Sequence, residues 1–262
     1  MADLADDLAR FWDAFDSVLE RVEPAWWGSV VADGRFPDVW DTNYARVETA
    51  DPSLSLEEVA AALTPVLERV SASAFHVVMF RPEATNRLLS ELTDRGDRLS
   101  WDIVMTFEGE ETTAGSAVVE ELRVDDDLWA GVAASLPSFG VTEAETIRQL
   151  VRLEREVLDP GGTKRWFGVR GGTGEVVALG ALVHLAGLGY VDHVVTLPEA
   201  RGRGHARAVV TRIAHEARRA GVERTFLLVD PQGPVSMYER MGFREGTRIA
   251  STLATRQTGG DR

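Results

Sequence analysis

The chain of 262 residues contains no cysteine and a single lysine, at position 164. Without cysteine there are no disulfide bonds, no thiolate nucleophile and no metal site built on cysteine ligands. The other 27 basic residues are arginines, a bias typical of a GC-rich genome. The five histidines show no ligand-like spacing, so we predict no metal site.

Long apolar segments are missing as well. No run approaches the roughly 18 residues that a membrane-spanning helix needs. The first residues are acidic with a helical period, unlike the basic and apolar pattern of a secretory signal. With 44% hydrophobic and 27% charged residues, the composition is typical of a globular protein. We expect a cytoplasmic location and no membrane partner.

Positive charge is scarce in one part of the chain only. The net charge is −14; residues 1–117 hold 23 acidic residues against nine arginines, whereas residues 118–262 hold 19 of each sign. Because phosphate backbones need a basic surface, this distribution argues against a nucleic-acid partner. It is compatible with a cationic substrate, although a simple role in solubility is the favoured interpretation.

Two familiar phosphate-binding motifs are absent. The chain has neither the Gly-x-x-x-x-Gly-Lys-Ser/Thr of a P-loop nor a Gly-x-Gly-x-x-Gly directly after a strand. It does have an Arg/Gly-rich turn, Arg201-x-x-Gly204-x-Ala206, between an apolar strand and a helix. Small residues and a helix N-terminus at one point form a seat for a pyrophosphate, with Arg203 and Arg207 adding charge.

Hydrophobic periodicity predicts alternating helices and strands along most of the chain. Ser55 and Glu58 form a capping-box pattern at the start of one helix. The predicted helices are 3–22, 55–70, 84–95, 126–134, 143–158, 204–220 and 234–241. The predicted strands are 44–49, 74–80, 99–107, 118–123, 165–170, 176–185, 190–196, 225–229 and 248–253. Residues 24–43 are predicted to be a loop, and 108–117 a linker.

The second half of the chain resembles the GNAT (Gcn5-related N-acetyltransferase) family. The resemblance rests on the Arg201-x-x-Gly204-x-Ala206 turn, the helix and strand that follow, and Tyr238-Glu239-Arg240-Met241-Gly242-Phe243, in that order. It covers residues 118–254. One departure is Gln232-Gly233 after the second strand, where the family often has asparagine.

The resemblance implies acetyl-CoA as the donor and assigns roles to particular residues. The turn would bind the diphosphate, the preceding strand would hydrogen-bond the pantetheine arm, Val195 N–H would stabilise the oxyanion, and Tyr238 would protonate the leaving thiolate. The implied donor-binding residues are Val194, Val195, Thr196, Arg201, Gly202, Arg203, Gly204, His205, Ala206 and Arg207.

Asp192 and His193 are the candidate bases for the amine proton. Histidine titrates near neutral pH, and an aspartate acts through water if its pKa is raised. Because side chains alternate along a strand, we expect only one of the two to face the cleft. A structural role for either remains the alternative, and His184 is a weaker candidate.

An internal repeat predicts an α/β fold with two tandem GNAT-like domains, each a twisted mixed β-sheet flanked by helices. Residues 1–115 would be a degenerate copy, 116–255 the catalytic copy and 256–262 a disordered tail. In the first copy Asp51, Glu57 and Glu58 would repel a pyrophosphate, and Leu92 or a neighbour stands where Tyr238 would be.

Six aromatic residues of the first copy, some near acidic ones, admit two interpretations. They are Trp12, Trp26, Trp27, Phe36, Trp40 and Tyr44. Core packing is the favoured interpretation. The alternative is an acceptor pocket for a cationic amine, flanked by Asp33, Asp38 and Asp41.

The sequence therefore predicts an acetyl-CoA-dependent N-acetyltransferase in which a primary amine of a small acceptor attacks directly in a ternary complex; a cationic acceptor is compatible with the acidic charge. The alternative is an inactive CoA-binding regulatory protein. Either protein would be a monomer or a homodimer, since a tandem chain can pair its own two copies.

Overall fold

A computed structural model describes residues 3–109, 117–158 and 163–255, except for the side chain of residue 255. The predicted tail, 256–262, and most of the predicted linker lie outside the described residues. The backbone groups into two compact units: unit 1 is Met1–Ile103 with Thr247–Arg262, and unit 2 is Val104–Gly246.

Seven α-helices occur in the described residues. They are α1 (Leu4–Asp16), α2 (Leu56–Arg69), α3 (Asn86–Asp94), α4 (Asp126–Ser135), α5 (Ala144–Leu153), α6 (His205–Arg219) and α7 (Val235–Arg240). A π-helical turn, Glu154–Leu158, continues α5. Among the described residues, no helix has both the length and the apolar composition needed to cross a membrane.

The described residues also form eleven β-strands. They are β1 (Arg21–Ala25), β2 (Gly28–Ala32), β3 (Tyr44–Val47), β4 (Ala74–Met79), β5 (Leu99–Phe107), β6 (Glu120–Glu121), β7 (Lys164–Arg170), β8 (Val176–Leu185), β9 (Leu188–Thr196), β10 (Arg224–Val229) and β11 (Phe243–Thr255). Most predicted elements are confirmed to within a few residues.

The largest difference from the predictions is the hairpin β1–β2, which replaces the end of the predicted first helix and part of the predicted loop. Val22 pairs with Val31 in an antiparallel register. Pro24 is tolerated because β1 is an edge strand, where a missing N–H costs no ladder bond. Gly28 is required at the turn, since a Cβ there would lie 2.0 Å from the carbonyl oxygen of Arg46.

Unit 1 contains a mixed sheet in the order β1-β2-β3-β4-β11. β3 and β4 are parallel and are joined through α2, whereas β4 and β11 are antiparallel. The core lies between this sheet and helices α2 and α3. It includes Val30, Val47, Leu63, Leu67, Val77, Met79, Leu88 and Leu92.

The strands of unit 2 follow the order β10-β9-β8-β7-β6. β9 and β10 are parallel and joined through α6, and the other pairs are antiparallel. α4 packs on one face through a core that includes Trp129, Trp166 and Leu179. On the other face, α6 lies so close that a Cβ at Gly180 would be 3.0 Å from Val209.

The predicted α/β class with mixed sheets flanked by helices is confirmed. β11 begins in unit 2, and its residues Ala250–Thr255 pair with β4 in unit 1. The assignment of 1–115 to a degenerate copy and of 116–255 to a catalytic copy stays a prediction, because compactness of the backbone does not test it.

Candidate functional site

The neighbouring strands β9 and β10 of unit 2 are paired along only a third of β9. The register joins Leu188–Tyr190 to Arg224–Phe226. In the part of the chain that the structure describes, residues 191–196 of β9 have no partner on β10. Their N–H and C=O groups on that side form an open edge, which an extended ligand can use for hydrogen bonds.

A β-bulge interrupts β9 within this open segment. Leu179 of β8 is opposite Val195, but Ala181 is opposite Asp192, so two β9 residues face the single residue Gly180. His193 is one of these two residues, and its φ of 53° lies in the left-handed region that non-glycine residues seldom adopt.

The bulge places the side chains of Asp192 and His193 on the same side of the sheet. Asp192 contacts Lys164, and His193 packs against Trp166, two residues further along β7. Residues two apart on a strand share a face. Our expectation that only one of the two would face the cleft side is therefore wrong, because strict alternation does not hold through a bulge.

Asp192 belongs to a buried charge cluster with Lys164 and Glu154. Lys164 Nζ donates to Asp192 Oδ2 and to Glu154 Oε1, each at 2.7 Å. Burial by itself raises the pKa of Asp192, but the charge of Lys164 outweighs it and holds this pKa below its usual value. Asp192 is therefore an ionised, paired carboxylate, and the raised pKa that would suit it to proton uptake is not found.

His193 is enclosed by aromatic and helical neighbours. Its ring lies 5.4 Å from that of Trp166 and 5.0 Å from that of Phe139, edge to face in both cases. Nε2 lies 2.7 Å from Ser135 Oγ, which itself donates to Val132 O. Ser135 Oγ therefore accepts from Nε2–H, and Nδ1 carries the free lone pair.

Burial lowers the pKa of His193 to about 4. Asp192 acts in the opposite direction and Lys164 in the same one. The imidazole is thus neutral at physiological pH, able to accept a hydrogen bond and weak as a base.

The loop between β9 and α6 is open to solvent. Gly202 and Gly204 have φ values of 76° and 78°, and a Cβ at either would meet no described atom within 4 Å. Arg201 and Arg203 are exposed, and Arg201 Nε donates to Thr196 O at 3.1 Å. The two glycines turn the backbone at a place that is open to solvent, with guanidinium groups beside it.

The first turn of α6 supplies free donors to the same place. Gly204 is the N-cap, and no side chain of the described residues caps the helix there. The N–H groups of His205, Ala206 and Arg207 precede the first intrahelical bond, so the helix leaves them unsatisfied. Together with the helix dipole they form a seat for an anion.

Two buried polar atoms near this loop have no hydrogen-bond partner among the described residues. They are Thr196 Oγ1, at the end of β9, and His205 Nδ1, at the start of α6. Buried polar atoms are rarely left unpaired, so both atoms are available for a hydrogen bond to a ligand. The open edge, uncapped helix and orphaned atoms fit the pantetheine and diphosphate groups of a CoA thioester.

Tyr238 lies on the short helix α7 and is 6% exposed. Its ring packs edge to face on Phe243, with 5.8 Å between centroids. Burial raises the pKa of Tyr238 to about 12, so the phenol keeps its proton at neutral pH. Such a group can donate a proton to a leaving thiolate.

The segment after β10 is a turn, and it carries the departure from the family pattern. Gln232 N–H donates to Asp230 Oδ1, and Gly233 N–H donates to Asp230 O, both at 2.7 Å. Asp230 therefore organises this turn, as its usual role in loops predicts.

The other candidate residues are distributed as follows. His184 is exposed at the end of β8, and His215 is exposed on α6. In unit 1, Trp27, Phe36 and Tyr44 are buried in the core, which confirms the packing interpretation for these three. Asp33 is also buried, and it pairs with Arg35.

The sequence analysis missed four residues that surround His193. They are Ser135, Phe139, Lys164 and Trp166. One signal was available, since Lys164 is the only lysine of the chain and directly precedes a predicted strand. The bulge that gathers the four around His193 has no signature in the sequence.

Comparison with known proteins identifies the domain that holds this site. The acetyltransferase (GNAT) family model matches residues 128–243. These residues include β9, the open loop, α6 and Tyr238. A comparison with curated protein sequences gave no match.

Solved structures of GNAT proteins have a similar fold. A GCN5-related N-acetyltransferase from Kribbella flavida is 16% identical, with 99% of this chain and 98% of that one covered and a TM-score of 0.61. One from Sphaerobacter thermophilus is 19% identical over 79% and 71%, with a TM-score of 0.56.

A tandem GNAT protein from the clavulanic acid biosynthesis pathway is 12% identical over 84% of this chain and 77% of that one, with a TM-score of 0.53. At these identities the likeness concerns the fold, and it extends well beyond the residues of the family match. Residues 128–243 thus match the GNAT family by sequence, and the chain is similar in fold to solved structures of GNAT proteins.

Proposed function

We propose that this protein is an acetyl-CoA-dependent N-acetyltransferase that acts on a primary amine of a small, cationic acceptor in a ternary complex. One observation carries the proposal: the open edge of β9 leads directly into the uncapped N-terminus of α6. Consecutive parts of the chain therefore offer hydrogen-bonding groups first to an extended arm and then to a diphosphate.

We assign the donor-binding roles to residues along this path. The N–H groups of residues 203–207 and the guanidinium groups of Arg201, Arg203 and Arg207 hold the diphosphate. Backbone groups of Val194, Val195 and Thr196 bind the pantetheine amides, with Thr196 Oγ1 as a further donor. An N–H of this strand, at Val195, stabilises the negative charge that develops on the carbonyl oxygen.

In this proposal His193 accepts one proton during the acetyl transfer, and Tyr238 donates another. As the amine nitrogen bonds to the acetyl carbon, its proton becomes acidic, and Nδ1 of His193 accepts it. As the bond from that carbon to sulfur breaks, the Tyr238 hydroxyl gives a proton to the thiolate. A weak base suffices for an acidic proton, so the low pKa of His193 is compatible with this role.

The cationic character of the acceptor is supported by charge alone. The chain carries a net charge of −14, all of it arising in residues 1–117. A negative field concentrates cationic amines near the protein and raises their rate of encounter.

Calorimetric titration with acetyl-CoA tests the proposal. We expect one site per chain that is lost in Arg201→Glu, followed by acetylation of amines in a library screen. Two sites would mean that the first copy also binds the donor. The absence of binding at millimolar donor would contradict the proposal.

A second candidate is a CoA-binding regulatory protein without turnover. The low basicity of His193 favours it, because a strong base is lacking. Donor binding without acetylation of any amine in the library, at any pH between 6 and 9, would support this candidate over the first.

A further inference from the structure

Lys164 is the only lysine of the chain, and its side chain is 1% exposed. A buried ammonium is costly unless it is paired and hydrogen-bonded. Lys164 meets that condition, with two carboxylates at 2.7 Å and its Nζ lying 4.6 Å from the centre of the Trp166 ring. Burial lowers the pKa of Lys164, but Asp192 and Glu154 outweigh it and raise this pKa.

Asp192 connects this cluster to the bulge. Its Oδ2 accepts from Lys164, and its Oδ1 accepts the backbone N–H of His193 at 2.8 Å. The carboxylate therefore uses one oxygen for the charge cluster and the other for the residue at positive φ.

The conformation of His193 needs such support. A non-glycine residue in the left-handed region is strained, and such a residue persists where its surroundings hold it. The bond from His193 N–H fixes the backbone, and the bond of Nε2 to Ser135 Oγ fixes the ring.

We propose that Lys164, Glu154 and Asp192 are positioning residues, which hold the β9 bulge and so set the place of the His193 imidazole beside the donor cleft. This inference depends on the proposed function in one respect, namely that the open edge of β9 is the binding cleft of the acyl donor. The juxtaposition itself rests on the hydrogen bonds between the cluster and His193.

Asparagine at position 192 breaks the link with little change in shape. The two carboxylate oxygens of Asp192 accept hydrogen bonds from two donors, Lys164 Nζ and the His193 N–H. An asparagine side chain has one acceptor oxygen and one donor nitrogen, so either orientation sets donor against donor at one of the two contacts. Asp192→Asn therefore disconnects the bulge from the cluster.

A second variant removes the ammonium without adding buried charge. The cluster carries one positive and two negative charges, so Lys164→Met alone would leave two partly buried carboxylates without their cation and endanger the fold. Lys164→Met combined with Glu154→Gln keeps the net charge of the cluster at its original value. Glu145→Gln, an exposed carboxylate on α5, is the matched control.

The readout that needs no turnover is the Cε1–H resonance of His193, assigned by its loss in His193→Gln. The charged groups that act on the ring are Asp192 and Lys164, and Glu154 is paired with Lys164. In the wild type we expect a neutral ring without titration between pH 5 and 8. In Lys164→Met/Glu154→Gln the midpoint should rise by a pH unit or more, because Asp192 is no longer balanced by Lys164.

In Asp192→Asn we expect the His193 resonance to shift and broaden while its midpoint stays low, and in Glu145→Gln no change. Both cluster variants should reduce kcat by about tenfold, since small misplacements of a catalytic group have effects of this order or larger. Unchanged His193 resonances in both would overturn the proposal. So would abolished turnover in Asp192→Asn with an unchanged resonance, because Asp192 would then act directly.

The experiments distinguish a failure of the proposed function from a failure of the positioning role. If no amine is acetylated but the resonances respond as expected, the proposed function is wrong and the positioning role stands. If amines are acetylated and the resonances do not respond, the opposite holds.

Discussion

The two strand–helix–strand crossovers of this chain, β3–α2–β4 in unit 1 and β9–α6–β10 in unit 2, share a topology and differ where the helix begins. At α2, Ser55 and Glu58 form a complete capping box, and Glu91 Oε2 accepts the N–H of Leu56 at 2.6 Å. At α6, the N-cap is Gly204 and no side chain of the described residues caps the helix.

The strand pairs of the two crossovers also differ in how far their backbone groups are paired. β3 and β4 pair up to Val47 and Met79, and Phe80 N–H continues the ladder to Val47 O. β9 and β10 part after Tyr190 and Phe226 in the described part of the chain. One crossover satisfies its polar groups internally, and the other leaves helix-end and strand-edge groups without a protein partner in the described residues. Helix-end donors and strand edges thus serve stability or binding according to which side chains lie beside them.

The strongest way to break the comparison is to give α6 the carboxylate of α2. Arg207 occupies the third helical position, which Glu58 occupies in α2. Arg207→Glu should weaken CoA binding by about 100-fold, because a carboxylate occupies the free donors and repels the diphosphate. Calorimetry measures the change.

The control for this variant is Arg219→Glu, which makes the same charge change at the other end of α6. It should change the Kd for CoA by less than about threefold, since charge effects at a helix end fall off within one turn. Equal losses in the two variants would show that net charge, and not the open helix end, governs binding.

The second largest effect is expected to distinguish two buried tyrosines, Tyr238 in unit 2 and Tyr44 in unit 1. Tyr238→Phe should lower kcat tenfold or more without changing the Kd for CoA, because the donor proton is lost. Tyr44→Phe should leave kcat unchanged and lower the free energy of unfolding by about 1–3 kcal/mol, since Tyr44 donates to the buried Asp16 at 2.8 Å. Steady-state kinetics and urea unfolding measure both, and an unaltered kcat in Tyr238→Phe would remove this residue from the mechanism.

A smaller effect is expected from alanine at two glycines with similar backbones, Gly204 (φ 78°) and Gly96 (φ 90°). Each substitution introduces left-handed strain of roughly 1–2 kcal/mol, visible as a lower Tm. Only Gly204→Ala should also weaken CoA binding, by several-fold, because Gly204 lies in the loop at α6. A weakening of similar size in Gly96→Ala would contradict a local role for the loop.

The smallest effect is expected from removing the side-chain cap at the N-terminus of α2. Ser55→Ala removes the capping box and should cost about 1 kcal/mol of stability, with donor stoichiometry still at one per chain. The free N–H groups would remain flanked by Glu58 and Glu91, which repel anions. A second CoA site in this variant would mean that the cap alone had closed unit 1.

Local patterns in the sequence were sufficient for much of this protein. Ser55 and Glu58 predicted the capping box because the motif involves neighbouring residues only. Gly202 and Gly204 predicted an unusual turn before α6, and both have positive φ. The hairpin β1–β2 was missed because Pro24 and Gly28 are typical of loops, and only pairing within the sheet makes them part of strands.

By itself the sequence determined the order of the elements outside the β1–β2 hairpin, the glycine turn and the two kinds of helix start, since each depends on residues within a few positions of one another. The tertiary structure alone decided how β9 departs from regular pairing and what surrounds Asp192 and His193. Lys164, Glu154 and Ser135 come from other elements, 28 to 58 residues away, and the cluster forms when the sheet and helices pack. Burial and pairing within that cluster set the charges of the site, and no local pattern encodes them.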